Sequence, residues 1–199
     1  MRLYSYIVRY DIGFAPNPFH GWCTLATCKP QIRGSASIGD WIVGTGSKAK
    51  NLEGKLVYAT RVEERLTFDD YWNDPRFQAK KPDVHGSLKY RYGDNIYHRT
   101  HEGAWEQADS RHSREGGLQN LAHVARDTGR NVVIASQHFT YWGGQAPEIP
   151  GRFRDWNGAD ICVRGVGYQW RTISQEMRVA SVEWIESLGQ GYHGDPADW

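Results

Sequence analysis

Methionine and cysteine are scarce, at two and three residues in 199, and neither acid nor base predominates, with a formal charge of +1. No apolar run approaches the ~18 residues that span a bilayer, so no membrane association is expected. The opening Met1-Arg2-Leu3-Tyr4-Ser5-Tyr6 has neither an apolar core nor a small-residue cleavage site, so a soluble, cytoplasmic protein is expected. An odd cysteine count in such a chain predicts reduced thiols at Cys23, Cys28 and Cys162 rather than a disulfide framework. Near-balanced charge excludes a uniformly basic duplex-binding surface. There is no phosphate loop, GxSxG elbow or HExxH sequence, so the commonest nucleotide, hydrolase and metalloprotease signatures are missing.

Aromatic rings and small polar turns are plentiful. Nine tryptophans and eleven tyrosines exceed what surface decoration needs, so many must fill a core while others are free to stack on a ligand. At this size a single domain can bury roughly 70% of its unfolded surface. The expectation is one domain over residues 1–189 and a Gly- and Asp-rich, poorly ordered tail over 190–199, with Trp199 a candidate for docking.

The organising stretch is Gly39-Asp40-Trp41-Ile42-Val43-Gly44-Thr45-Gly46-Ser47. A Gly-Asp turn enters a β-type run that ends in small residues, where a ligand could approach the backbone. Before it, Leu3–Tyr10 reads as a central strand. The loop Phe14-Ala15-Pro16-Asn17-Pro18-Phe19-His20-Gly21-Trp22 is fixed by its two prolines. Residues 22–28 fit a strand or one to two turns of helix equally well. Leu56–Glu63 is expected to pair with the Trp41 strand, and Leu66–Trp72 to form a short helix capped by Thr67. Further on, strands are expected at 95–99, 131–136 and 161–164, a mobile loop at 110–117, and helices at 118–128 and 175–188. The last helix would turn Val179, Val182, Ile185, Trp184 and Leu188 inward.

Two resemblances rest on these residues. The order of Gly39-Asp40-Trp41, Val57–Val62, Phe68-Asp69-Asp70-Tyr71-Trp72 to Pro75, and Phe139-Thr140-Tyr141-Trp142-Gly143 resembles the PUA-like superfamily, which includes the EVE, YTH and ASCH domains. The blocks Phe14–Gly21 and Cys23-Thr24-Leu25-Ala26-Thr27-Cys28-Lys29-Pro30 resemble the second type of nucleotide-modification-associated domain, found in bacteria and their phages. Together they imply an α+β fold, a small PUA-like β-barrel with peripheral helices. They also imply a site that meets a modified base, nucleotide or nucleic acid, with DNA the expected context. Setting the loop and strand ends against the base cavities of EVE- and YTH-like domains gives Asn17, Phe19, His20, Trp22, Thr24, Lys29, Trp41, Thr45, Ser47, Tyr141 and Trp142 as ligand-binding candidates. Rings would stack on the base while amide and hydroxyl groups read its edge.

Two further readings stay open beside this one. An enzyme that makes or processes a modified nucleotide would use the loop 11–29, with Asp11, His20 and Cys23 as catalytic candidates. A domain of a phage-defence system would instead meet a protein partner. No cofactor and no metal are expected: His20, Cys23 and Cys28 lack a fourth zinc ligand, and buried inert thiols suit the spacing better. The segment 80–114 interleaves Lys80, Lys81, Lys89, Arg91, Arg99, Arg111 and Arg114 with Tyr90, Tyr92 and Tyr97, a composition suited to a strand-tracking surface or a solvated face.

Overall fold

The computed structural model describes residues 1–199 as a mixed α+β protein. In chain order its strands and helices are β1 (Leu3–Val8), β2 (Cys23–Leu25), α1 (Pro30–Ser35), β3 (Trp41–Gly46), β4 (Leu56–Arg61), β5 (Glu64–Leu66), α2 (Phe68–Asn73), α3 (Leu88–Arg91), β6 (Tyr97–Arg99), β7 (Trp105–Gln107), α4 (Leu121–Thr128), β8 (Val133–Ser136), β9 (Phe139–Tyr141), β10 (Tyr168–Gln169), α5 (Gln175–Ser187) and β11 (Gly191–Tyr192). These form two compact units. The first gathers residues 1–11, 36–62 and 137–199, and the second residues 12–35 and 63–136.

The first unit is built on a six-stranded sheet of order β10-β1-β3-β4-β9-β11. As expected, β3 and β4 pair antiparallel, whereas β1 runs parallel to β3. The strands beside one another in that order leave β10 and β11 as separate edges, so the closed barrel expected from sequence is not found. β3 is buried along its whole length, which explains why its sequence is a continuous apolar run rather than an alternation. α5 covers this unit's core through Met177, Ser181 and Ile185, one residue per turn of about 3.6, among Leu3, Trp41, Val43, Leu56 and Phe153. That register leaves Val179 45% exposed and only partly buries Val182, Trp184 and Leu188, correcting the expected face. Two other expectations fail here. Residues 161–164 form no strand, because the Asp160 carboxylate takes the Cys162 N–H at 2.8 Å and Phe153 O takes that of Ile161. The tail is ordered: β11 runs parallel to β9, and Asp11 accepts the Ala197 N–H and, through its carbonyl, that of Asp198.

The second unit has a three-stranded sheet, β2-β8-β5, and a two-stranded hairpin, β6-β7. Phe14, Phe68, Tyr71, Phe77, Ile96, Tyr97, Val124 and Val133 form its core. α2 begins at the expected Thr67 with a full capping box: Thr67 Oγ1 accepts the Asp70 N–H, and the Asp70 carboxylate accepts the Thr67 N–H. α4 starts at Leu121 rather than 118, because Asn120 caps it and Leu118 is extended. The loop 110–117, expected to be mobile, is tied by Ser110 and Ser113, whose hydroxyls take the N–H groups of His112 and Ser110.

Candidate functional site

The sequence candidates fall into both units, and most are already committed to packing. In the first unit Trp41 is 3% exposed and meets the His138 ring edge-on at 5.3 Å. Thr45 Oγ1 donates to Tyr6 O, and Ser47 caps the 3₁₀ turn Lys48–Lys50. The small residues of β3 admit protein rather than ligand: a Cβ at Gly44 would strike the Tyr58 ring, and one at Gly46 the Leu52 backbone. The Tyr141 hydroxyl donates to Asp11 at 2.5 Å, so this catalytic candidate anchors β9 and the tail. Trp142 differs. It stacks on His193 at 4.1 Å and 16°, and both Trp142 Nε1 and His193 Nε2 are buried with no hydrogen-bond partner.

In the second unit the proline-bounded loop closes over a buried ammonium. Lys80 is wholly buried, and its Nζ donates to Asn17 O at 2.9 Å, Asn17 Oδ1 at 2.7 Å and Trp22 O at 2.7 Å. All three protons are used. Asn17 Oδ1 also accepts the Phe19 N–H, and Nδ2 donates to Tyr92 O, so the amide expected to read a base is spent on Phe19, Lys80 and Tyr92. Thr24 donates to Asp94, which also accepts from Tyr71. Burial lowers the Lys80 pKa to about 8 against the pull of Asp94, and raises that of Asp94. Phe19 and Cys23 are core residues, and Trp22 packs on Phe77 at 5.1 Å. His20 lies against Tyr90 at 4.9 Å, its pKa lowered by burial, Lys80 and Lys89, and its Nε2 buried without a partner.

One arrangement in this unit has the geometry of a reaction centre. After β2 the chain turns through Cys28 and Lys29 at φ 58° and 42°, two consecutive non-glycine residues in the left-handed region. Such a conformation costs on the order of 1 kcal/mol or more per residue and persists only where the surroundings impose it. Here the buried Arg33 imposes it: Nε donates to Cys28 O at 2.9 Å, while its other nitrogens take the carbonyls of Asp127, Arg130 and Val132. The Cys28 N–H donates to Asp127 Oδ1 at 3.1 Å.

Held this way, Cys28 Sγ lies 3.9 Å from His112 Nε2, and His112 Nδ1 lies 2.9 Å from Asp127 Oδ2. A carboxylate at Nδ1 fixes the proton there and leaves Nε2 to accept from the thiol. Asp127 is fully buried at the end of α4 and also accepts from Tyr97 and Arg126. Burial alone would raise its pKa. Hydrogen bonds and charge from His112 and Arg126 outweigh that and hold it below the usual carboxylate range. Burial and the nearby Asp127 push the Cys28 thiol up, so it rests protonated, with a base within reach. His112 is wedged between Phe14, edge-on at 4.7 Å, and His123 at 4.2 Å. Of the three cysteines Cys28 alone is partly exposed. No group of three or more His, Cys, Asp and Glu side chains is placed to hold a metal ion.

Sequence reasoning put the thiol at Cys23 and never joined His112 or Asp127 to it. Cys28 lies 84 residues before His112 and 99 before Asp127, so no spacing rule links them.

No helix is long and apolar enough to cross a membrane. No curated protein and no solved structure matches the chain. A family model, that of nucleotide modification associated domain 2, matches residues 1–199. The match spans both compact units, the Cys28 turn with its histidine and carboxylate included, and the chain therefore belongs to the nucleotide modification associated domain 2 family.

Proposed function

We propose that the protein is a thiol-dependent enzyme of nucleotide modification, with Cys28 as nucleophile, His112 as its general base and Asp127 as the group that orients the imidazole. The observation that carries this is the Cys28–His112–Asp127 relay, 3.9 and 2.9 Å between successive partners, built on a strained turn. Association with nucleotide modification comes from the family. The chemistry suited to the relay is addition of sulfur to an electrophilic carbon of a base or of a group attached to it. His112 would take the thiol proton as the C–S bond forms and deliver it to the atom that receives the electron pair of the opened double bond; when the product leaves, the C–S bond breaks with its electron pair returning to sulfur, which regains a proton through His112. Asp127 would stabilise the imidazolium that exists between those steps. Lys29, next in the chain, and Arg126 carry positive charge that favours the thiolate.

The test combines turnover with binding. Purified protein is incubated with nucleosides, nucleotides and oligonucleotides carrying unmodified and modified bases, and products are read by mass spectrometry. Conversion should fall by at least about 10³-fold in Cys28→Ala, while thermal-shift binding of the same ligand persists. Turnover at the wild-type rate in Cys28→Ala would end the thiol reading.

A second reading, capture of a modified base without turnover, draws on the partnerless nitrogens of the Trp142–His193 stack. Buried donors and acceptors left open in this way favour a ligand that satisfies both. It predicts ligands returned unaltered and binding lost in Trp142→Phe, which keeps an aromatic ring and removes the N–H.

A further inference from the structure

The protein as a whole carries a formal charge of +1, yet the two chain segments at one edge of the first unit's sheet contain arginine and no acid. β10 is a terminal strand and pairs antiparallel with β1, Ser5 opposite Gln169 and Tyr6 opposite Tyr168. The segments feeding these strands, 1–10 and 161–175, contain Arg2, Arg9, Arg164 and Arg171 and not one aspartate or glutamate. Carboxylates reach two of the four arginines: Glu53 and Asp160 line the same pocket as Arg164, and Asp40 reaches Arg2. Asp40 pairs with Arg2 at 3.0 Å, and Asp160 is taken by Arg154.

Rings lie against three of these cations, Arg2, Arg9 and Arg171. Tyr4 lies 6.2 Å from both Tyr168 and Trp170, and Trp170 is flanked by the Arg2 and Arg171 guanidiniums at 5.6 and 5.3 Å. Arg9 covers Tyr10 at 5.4 Å, and Tyr10 is 65% exposed. The residues Tyr168–Thr172 line a shallow hollow of about 410 Å³.

We infer that this edge is a docking surface for single-stranded nucleic acid. An isolated cationic patch would suit any polyanion, and an isolated aromatic patch any apolar partner. Alternating guanidinium and ring matches the alternation of phosphate and base along an unpaired strand. Duplex hides the base faces that Tyr10, Tyr168 and Trp170 would stack on, so it should bind less well. The relation to the thiol chemistry is one of substrate class only. Binding here is measured directly and stands or falls without turnover.

The test is fluorescence anisotropy with labelled 15-nucleotide single strands, one DNA and one RNA, against the same DNA as duplex and against a mononucleotide, at 50 and 200 mM salt. The expected result is tighter binding of single strands than of duplex or mononucleotide, weakening with salt in proportion to the phosphates engaged. Arg9→Ala/Arg171→Ala should flatten that salt dependence, and Trp170→Ala should cost about tenfold at either salt. Circular dichroism confirms that each variant is folded, and Trp170→Phe, which keeps a ring, should retain most of the affinity. The DNA and RNA arms decide which backbone is preferred. Equal binding of duplex, absence of binding to either single strand, or unchanged binding in both folded variants would each overturn the proposal.

Discussion

The second unit contains two buried polar clusters that look alike in composition and differ in how completely they are closed. Around Lys80 every proton of the ammonium has an acceptor, and the acceptors belong to the backbone and amide of a proline-fixed loop. Around Asp127 the carboxylate is as fully engaged, by Cys28 N–H, His112, Tyr97 and Arg126, but the chain of contacts ends at a partly exposed thiol. The first arrangement has no capacity left for a ligand. The second leaves one end open at the partly exposed thiol, and the contacts behind it hold that end in place. Closure, rather than burial or charge, separates a polar network that holds a loop from one that can react.

Removing a member of the closed network should have the largest effect on stability. Lys80→Met keeps the length of the side chain and deletes the charge, which takes from Trp22 O its ammonium donor and leaves Asn17 O and Asn17 Oδ1 with only the N–H groups of Thr24 and Phe19. A loss of about 3–5 kcal/mol is expected, read as a shift in the denaturant midpoint at constant slope. A change under about 1 kcal/mol would mean that the loop re-forms its hydrogen bonds elsewhere, and the contrast between the clusters would lapse.

The two clusters should also respond to pH with slopes that can be separated by variant. Lys80 has its pKa lowered from 10.5 to about 8, so between those values the unfolded chain holds a proton that the folded chain has released. Stability contributed by this group therefore rises with pH from about 8 upward. Asp127 has its pKa depressed below 3.8. Its contribution is present above that value and is lost as pH falls below about 4. Subtracting the unfolding curve of Lys80→Met from wild type should isolate an alkaline rise, and subtracting that of Asp127→Asn an acid loss of about 2 kcal/mol. Identical acid limbs in wild type and Asp127→Asn would remove the ionised carboxylate from the account of the relay.

What could be read from sequence follows the same division between local and distant causes. β3, its antiparallel partner β4 and the helix cap at Thr67 were legible because each depends on residues within a few positions of one another. The strand expected at 161–164 failed for an equally local reason, the carboxylate of Asp160 taking a backbone N–H that a strand would need. The packing face of α5 was misjudged because Met177 and Ser181 score as weaker core residues than Val179, and only the tertiary partners decide. The Cys28–His112–Asp127 cluster was invisible for a different reason. Cys23 sits inside a strand and Cys28 three residues past its end, so one is core and the other lies at the turn. Sequence alone gives both the same short hydrophobic neighbourhood. The pairing of Cys28 with His112 and Asp127 exists only after the fold has brought together residues 84 and 99 positions apart.

The smallest effect on stability should come from the residue with the largest effect on chemistry. Cys28→Ala removes a partly exposed sulfur whose one side-chain contact in the relay, 3.9 Å to His112, is a weak one. About 1 kcal/mol or less is expected, since the backbone bonds to Asp127 and Arg33 do not need the thiol. The same residue should dominate reactivity. Under native conditions iodoacetamide should label Cys28 ahead of Cys23 and Cys162, which are buried, with the order read by peptide mass spectrometry. Because the Cys28 pKa lies above its ordinary 9.0, labelling should be slow at neutral pH and accelerate through and beyond pH 9. His112→Ala should lower the neutral-pH rate if the imidazole takes the thiol proton, and leave the high-pH plateau nearly unchanged, where the thiolate forms unaided. Equal labelling in His112→Ala across the whole pH range would show that the 3.9 Å contact is packing alone, and the cluster would then join that of Lys80 as a structural one.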